Sequence, residues 1–157
     1  MPEPEVTAQR SAIMRAVVGK DTKPEMAVRR ELHRLGFRFR LQKRDLPGRP
    51  DIVLPRHRVA IFVHGCFWHR HPDCRKASIP KTRTAFWNAK FETNMARDER
   101  VERELLTAGW QVLVIWECST KKSKDLTFTL LDGLAALGVN PPKSPPSRDT
   151  PTTPCGP

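Results

Sequence analysis

The stretch Arg58–Cys74, RVAIFVHGCFWHRHPDC, constrains this chain more than any other. It opens with Val59–Val63, apolar throughout and rich in β-branched residues, the pattern of a strand covered on both faces. Three histidines and two cysteines then follow within eleven residues, with Phe67 and Trp68 among them. Thiolate and neutral imidazole are the preferred ligands of zinc, so a strand that runs into this cluster implies a metal site beside a sheet. Cys66 and Cys74 leave the strand together, and Cys118 ends a second apolar stretch, Gln111–Trp116. A structural zinc needs a fourth ligand, for which His64, His69 and His71 compete. His71 closes the tightest local clamp with Cys74 and is the ligand chosen from spacing. Cys155 lies in a proline-rich segment and is a poor ligand candidate.

Asp51 heads a short strand, Asp51–Leu54, and the turn Pro55–Arg58 leads back into Val59–Val63. Antiparallel pairing of these neighbours predicts Asp51 beside Val63 and His64, where the cluster begins. Magnesium takes oxygen ligands, so Asp51 suits it. With His71 assigned to zinc, His64 and His69 remain beside that carboxylate. Imidazole takes a proton from water near neutral pH or donates a hydrogen bond to phosphate, so the group reads as a phosphodiesterase centre.

The remaining elements follow from pattern. Thr22-Lys-Pro-Glu25 is a capping box opening a helix that runs to Leu35, with Val28, Leu32 and Leu35 inward and Gly36 as its stop. Glu25 starts near the inward edge, so capping and a place in an active site are both open to it. Phe37–Leu41 alternates apolar and basic residues and predicts a half-covered strand. A long helix, capped by Thr82 or Thr84, extends to Ala108, with an imperfect stripe of Phe91, Met95, Val101 or Glu102, and Leu105, and with Arg97, Arg100 and Arg103 on an exposed side among Asp98, Glu99 and Glu102. A final helix carries Leu126, Leu130, Leu134 and Leu137. The fold class is α/β, a mixed central sheet flanked by helices. Residues 1–10 are expected to be flexible, 11–137 to form one domain and 138–157, with seven prolines in twenty residues, a disordered tail.

The chain carries 28 basic and 17 acidic side chains, a formal net charge of +11, of which the last twenty residues supply only +1. The excess therefore belongs to the folded body, where it suits a polyanion such as nucleic acid. No apolar run approaches the roughly 18 residues of a membrane span, and the N-terminus carries no signal-peptide pattern, so a cytoplasmic protein with reduced thiols is expected. Phe67, Trp68, Phe86 and Trp87 form two aromatic pairs whose plain role is core packing and whose functional role is stacking or wedging into a duplex. Met14 has the same two readings.

LPGRPDIV at 46–53 followed by AIFVHGCFWHRH at 60–71 resembles the central signature of the very-short-patch repair (Vsr) DNA mismatch endonucleases. MRAVVGKDTKPE at 14–25, TRTAFW at 82–87 and RDERVERELLTAGWQVLVIWEC at 97–118 extend the likeness. It implies a restriction-endonuclease-like core that nicks one strand 5′ to the thymine of a T:G mismatch left by deamination of 5-methylcytosine. By the same resemblance Asp51 anchors magnesium, as one ion or two, assisted by the backbone carbonyl of Val63. His69 is the water-activating base, Glu25 orients it, and His64 contacts the phosphate. Cys66, His71, Cys74 and Cys118 hold the zinc. Phe67, Trp68 and Trp87 enter the duplex, and Met14 is a wedge from the N-terminal arm. The partner is double-stranded DNA with a T:G mismatch, met by a monomer, with coupling to other repair proteins left open. Two departures stand out: no Glu-x-Lys follows Asp51, and Val63 stands where some relatives have threonine. The alternatives are a noncatalytic zinc-stabilised DNA-binding module and a restriction-like nuclease without mismatch specificity.

Overall fold

Seven helices and strands follow one another in the computed structural model, which describes residues 21–41 and 43–143. Met14, the N-terminal arm, Cys155 and most of the proline-rich tail lie outside the described residues. Helix α1 (Lys23–Arg34) is followed by β1 (Arg40–Leu41), β2 (Ile52–Leu54) and β3 (Val59–His64). Helix α2 (Thr84–Thr107), β4 (Gln111–Trp116) and α3 (Ser123–Ala136) complete the order, with single 3-10 turns at Arg75–Ala77 and Glu117–Thr120. Among the described residues no helix is long and apolar enough to cross a membrane.

The four strands form one sheet in the order β1-β2-β3-β4. β2 and β3 pair antiparallel, with Ile52 opposite Ile61 and Leu54 opposite Val59. β3 and β4 pair parallel along their whole length, from Val59 with Gln111 to His64 with Trp116. Successive side chains on β3 point to opposite faces. Val59 and Ile61 pack with Ile52, Leu54 and Ile115 against Val28 and Leu32 of α1 and Leu126, Leu130 and Leu134 of α3. Ala60 packs on the other face with Val101 and Leu105 of α2, flanked by Phe62 and Val112. The sheet is thus covered on both faces, which explains the unbroken apolar run of β3.

Three local expectations are corrected. Phe37–Leu41 yields only the two-residue β1, because Phe37 is drawn into the core while Arg40 and Leu41 stay exposed at the sheet edge. Neither Thr82 nor Thr84 caps α2: its N-cap is Arg83 in a left-handed conformation, φ 53°, and the Thr84 hydroxyl donates to the Pro80 carbonyl instead. Met95 is exposed, so the buried stripe of α2 runs through Phe91, Val101 and Leu105.

Candidate functional site

At the carboxyl ends of the parallel pair β3 and β4, where ligand crevices of such sheets lie, a cavity of about 730 Å3 opens. Asp51, Glu25, His64, His69, Asp98 and Trp68 line it. The hairpin fixes the first of these. The register that sets Ile52 opposite Ile61 puts Asp51 one residue beyond β2, and the Val63 N–H donates to its Oδ2 at 2.8 Å. In an extended strand the N–H and C=O of one residue face the same edge, so the Val63 carbonyl also faces the Asp51 side. Burial pushes the Asp51 carboxyl up to about 6, with the Val63 amide opposing and the negative Glu25 adding to the rise. Such a desolvated carboxylate, opening into a cavity beside a carbonyl of the same edge, fits a hard divalent cation.

His64 is the last residue of β3, and the turn that follows brings His69 back over it through a His69 N–H bond to the Gly65 carbonyl at 3.1 Å. The two rings stack with centroids 3.9 Å apart and planes 7° apart. Burial is the main reason that the His64 imidazole is held down near 4, and the neighbouring His69 adds to it. His64 therefore enters neutral-pH chemistry as an uncharged ring.

The carboxylate that meets His69 is Asp98, whose Oδ2 lies 2.6 Å from Nδ1. Glu25, expected there, is engaged elsewhere: its Oε2 accepts from the Asp21 N–H at 3.0 Å and from Arg29 Nη2 at 3.3 Å. Arg29 also reaches Asp21 at 2.8 Å. The capping box is correspondingly offset. Thr22 Oγ1 accepts from the Glu25 N–H at 3.4 Å, but Glu25 reaches back to Asp21 rather than to Thr22. Sequence reasoning placed Asp98 among exposed charges and missed its role. The signal was present, because Asp98 stands three residues before Val101 and seven before Leu105, on the buried stripe of α2.

Beside the cavity lies the thiol cluster. Sγ of Cys66, Cys74 and Cys118 and a ring nitrogen of His71 all lie within 4.8 Å of one another, with Cys118 Sγ 3.5 Å from His71 Nδ1. Three thiols and one imidazole converging from two loops are the donor set of a structural zinc. Burial raises the Cys66 thiol to about 11, so a cation among the sulfurs is what would favour the thiolate there. The His71 ring is stacked on Trp116, centroids 4.3 Å apart, and the His71 backbone N–H donates to the Cys66 carbonyl at 3.0 Å. Arg70, left-handed at φ 55°, ties the loop together by donating to the carbonyls of Ala77, Ser78 and Phe67 while lying 4.1 Å over the Phe91 ring. No sequence pattern singles Arg70 out; its partners are main-chain carbonyls of the same loop, which carry no side-chain signature.

The aromatic pairs converge. Phe67 meets Trp68, Trp87 and Phe91 edge-on at 5.2, 5.6 and 5.2 Å. Phe91 is buried and anchors the group, Phe67, Trp68 and Trp87 are half-buried, and Phe86 is exposed. Trp68 is held by its carbonyl, which accepts from Asn94 Nδ2 of α2 at 3.1 Å. Part of this group is therefore core and part faces out beside the cavity.

A family model described as "DNA mismatch endonuclease Vsr" matches residues 5–76. A "Type II nicking enzyme V.XorIIP" of Xanthomonas oryzae pv. oryzae is 52% identical over 110 residues, covering 70% of this chain and 80% of that protein. The "DNA mismatch endonuclease Vsr" of Escherichia coli is 44% identical over 120 residues, 76% of each chain. A "Type II nicking enzyme V.NmeAIP" of Neisseria meningitidis is 44% identical over 115 residues, 73% of this chain and 81% of its own.

Proposed function

Because this chain belongs to the Vsr family of DNA mismatch endonucleases, we propose that it nicks one strand of duplex DNA 5′ to the thymine of a T:G mismatch. The coarser statement, a hydrolytic DNA-nicking nuclease, rests on that membership together with the site's donor groups. The finer one is supported by the cavity and by the motifs around it.

Asp51, with the Val63 carbonyl, is the place for magnesium in a restriction-endonuclease-like core. Magnesium bound there supplies charge neutralisation at the phosphate and a more acidic water. His69 takes the proton of the attacking water at Nε2. Asp98 makes that possible: its hydrogen bond at 2.6 Å holds the ring proton on Nδ1, leaving Nε2 as the acceptor and stabilising the imidazolium that forms. His64, neutral and stacked on His69, donates to a phosphate oxygen. Glu25, fixed by Arg29, adds negative charge on the Asp51 side of the cavity and acts on His69 only at a distance. Arg49 and Arg97 at the cavity wall offer cations to the DNA backbone.

Phe67, Trp68 and Trp87 offer ring faces beside the cavity to a locally opened base step, with Met14 acting from the arm. Cys66, His71, Cys74 and Cys118 hold zinc, which ties the loop after β3 to the end of β4 and keeps His69 over His64.

The observation that carries this reading is the convergence of Asp51, His64 and the His69–Asp98 pair in one cavity of a Vsr relative. A strand-resolved nicking assay with magnesium, comparing T:G and T:A at one site in otherwise identical duplexes, tests it. One nick 5′ to the thymine of the mismatch alone is the expected result. Equal cutting of both duplexes would keep the nuclease and overturn the mismatch specificity.

A further inference from the structure

The histidines assigned to hydrolysis are also a donor set for another class of cation. A ring nitrogen of His64, a ring nitrogen of His69 and a carboxylate oxygen of Asp98 lie within 4.8 Å of one another. These three groups come from the end of β3, the turn after it and the middle of α2, so the fold brings them together. They share no residue with the thiol cluster. Magnesium selects oxygen ligands, whereas two imidazoles and a carboxylate suit zinc, cobalt(II) or nickel(II). We propose that His64, His69 and Asp98 form a second, thiolate-free site for a divalent transition cation, and that its occupation switches the nuclease off.

The switch half of this inference rests on the assignment of His69 as the base. His69 Nδ1 and Asp98 Oδ2 are 2.6 Å apart, a hydrogen bond that keeps the ring proton on Nδ1. A cation ligated by both at bond lengths of about 2.0–2.1 Å needs the two donors roughly 3 Å apart, a small opening of the present pair. Ligation through Nδ1 requires the neutral ring to carry its proton on Nε2. The proton moves within the ring and none is gained or lost, but the nitrogen that must accept a proton from water is now protonated. The same event takes Asp98 away from its hydrogen bond. The His64 ring is stacked parallel on His69 with centroids 3.9 Å apart, so its in-plane lone pair joins the cation only once the His64 ring turns out of the stack. Three protein ligands leave a fourth position to water.

The test uses the full chain carrying one equivalent of zinc, titrated with cobalt(II) while absorbance and binding are followed. Nicking of a T:G duplex at fixed magnesium is measured over the same titration. One further equivalent should bind, with d–d bands and no thiolate-to-cobalt charge-transfer band, and nicking should fall in proportion to its occupancy. H64A and D98N each remove a direct ligand and should weaken this equivalent by more than the roughly 10-fold that loss of even an outer-shell partner costs, with the first zinc and the melting temperature retained as evidence of folding. No second equivalent, a second equivalent with thiolate bands, or unchanged affinity in both variants would overturn the site. Binding as described without any fall in nicking would overturn the switch alone. A protein that binds cobalt as described yet nicks no duplex would leave the site standing and reject the nuclease reading instead.

Discussion

Asp51 shows how a single residue carries opposed demands. Its carboxylate is desolvated and faces Glu25, which together raise it to about 6, while the Val63 N–H and the more distant Arg29 and His69 pull the other way. A carboxyl raised above its ordinary value stabilises the fold below the unfolded value, near 3.9, and that contribution is lost as pH rises through about 6. Without magnesium, Asp51→Asn should therefore be more stable than the parent by up to about 3 kcal/mol at pH 8, with the gap closing below pH 4. An Asn side chain still offers an oxygen to the Val63 N–H, so packing is kept while the charge is removed. The same variant should lose magnesium-dependent nicking. Denaturant unfolding at the two pH values checks the first half; equal stability at pH 8 would mean that Asp51 carries no burial cost. Asp51 was readable in the sequence as a cavity residue because the β2–β3 turn is short enough to dictate its register. Asp98 was not read, because its partner His69 lies twenty-nine residues away, across a loop whose path no periodicity encodes.

Elements place these residues, and their junctions are the sensitive points. The loop before β2 passes so close to α2 that a Cβ on Gly48 would lie 2.3 Å from Val101 Cγ1 and 3.1 Å from Val101 Cβ, and Gly48 has φ +70°. Gly48→Ala combines a left-handed backbone with an overpacked contact and should cost about 2–4 kcal/mol. Because the same loop delivers Asp51 and the same helix delivers Asp98, nicking should fall in step with stability. Thermal unfolding beside a nicking rate checks this, and a parental melting temperature would show that Val101 yields freely. β3, β4, α1 and α3 were legible from apolar period and caps, since each buries a regular stripe. The N-terminus of α2 was not: Arg83 caps it in a conformation that threonine preferences do not reveal. β1 was overextended because Phe37 obeys the core and not the strand alternation.

At the scale of the whole molecule, α1 and α3 on one face and α2 on the other hold a short sheet whose carboxyl ends carry both clusters. The thiol cluster joins those ends outside the core, beside the Lys76–Glu117 ion pair at 3.0 Å, since Cys118 follows β4 while Cys66 and Cys74 follow β3. Cys118→Ser should therefore lower zinc content and melting temperature together; unchanged zinc stoichiometry would remove Cys118 from the site. Asp51, His64 and the four zinc-ligand candidates were named from sequence because each lies at the end of a strand or in the loop that follows, and strands end where apolar runs end. The basic excess and the apolar strands were likewise fixed by composition and period. The tertiary structure alone decided that Asp98 serves His69, whereas the Glu25–Arg29 pair is an i,i+4 contact within α1 that helical spacing already allows. The His69–Asp98 pair, with His64 stacked beneath it, joins a turn, a helix and a strand end. Local sequence sets each element's direction, but which polar groups finally meet depends on how the elements pack against one shared sheet.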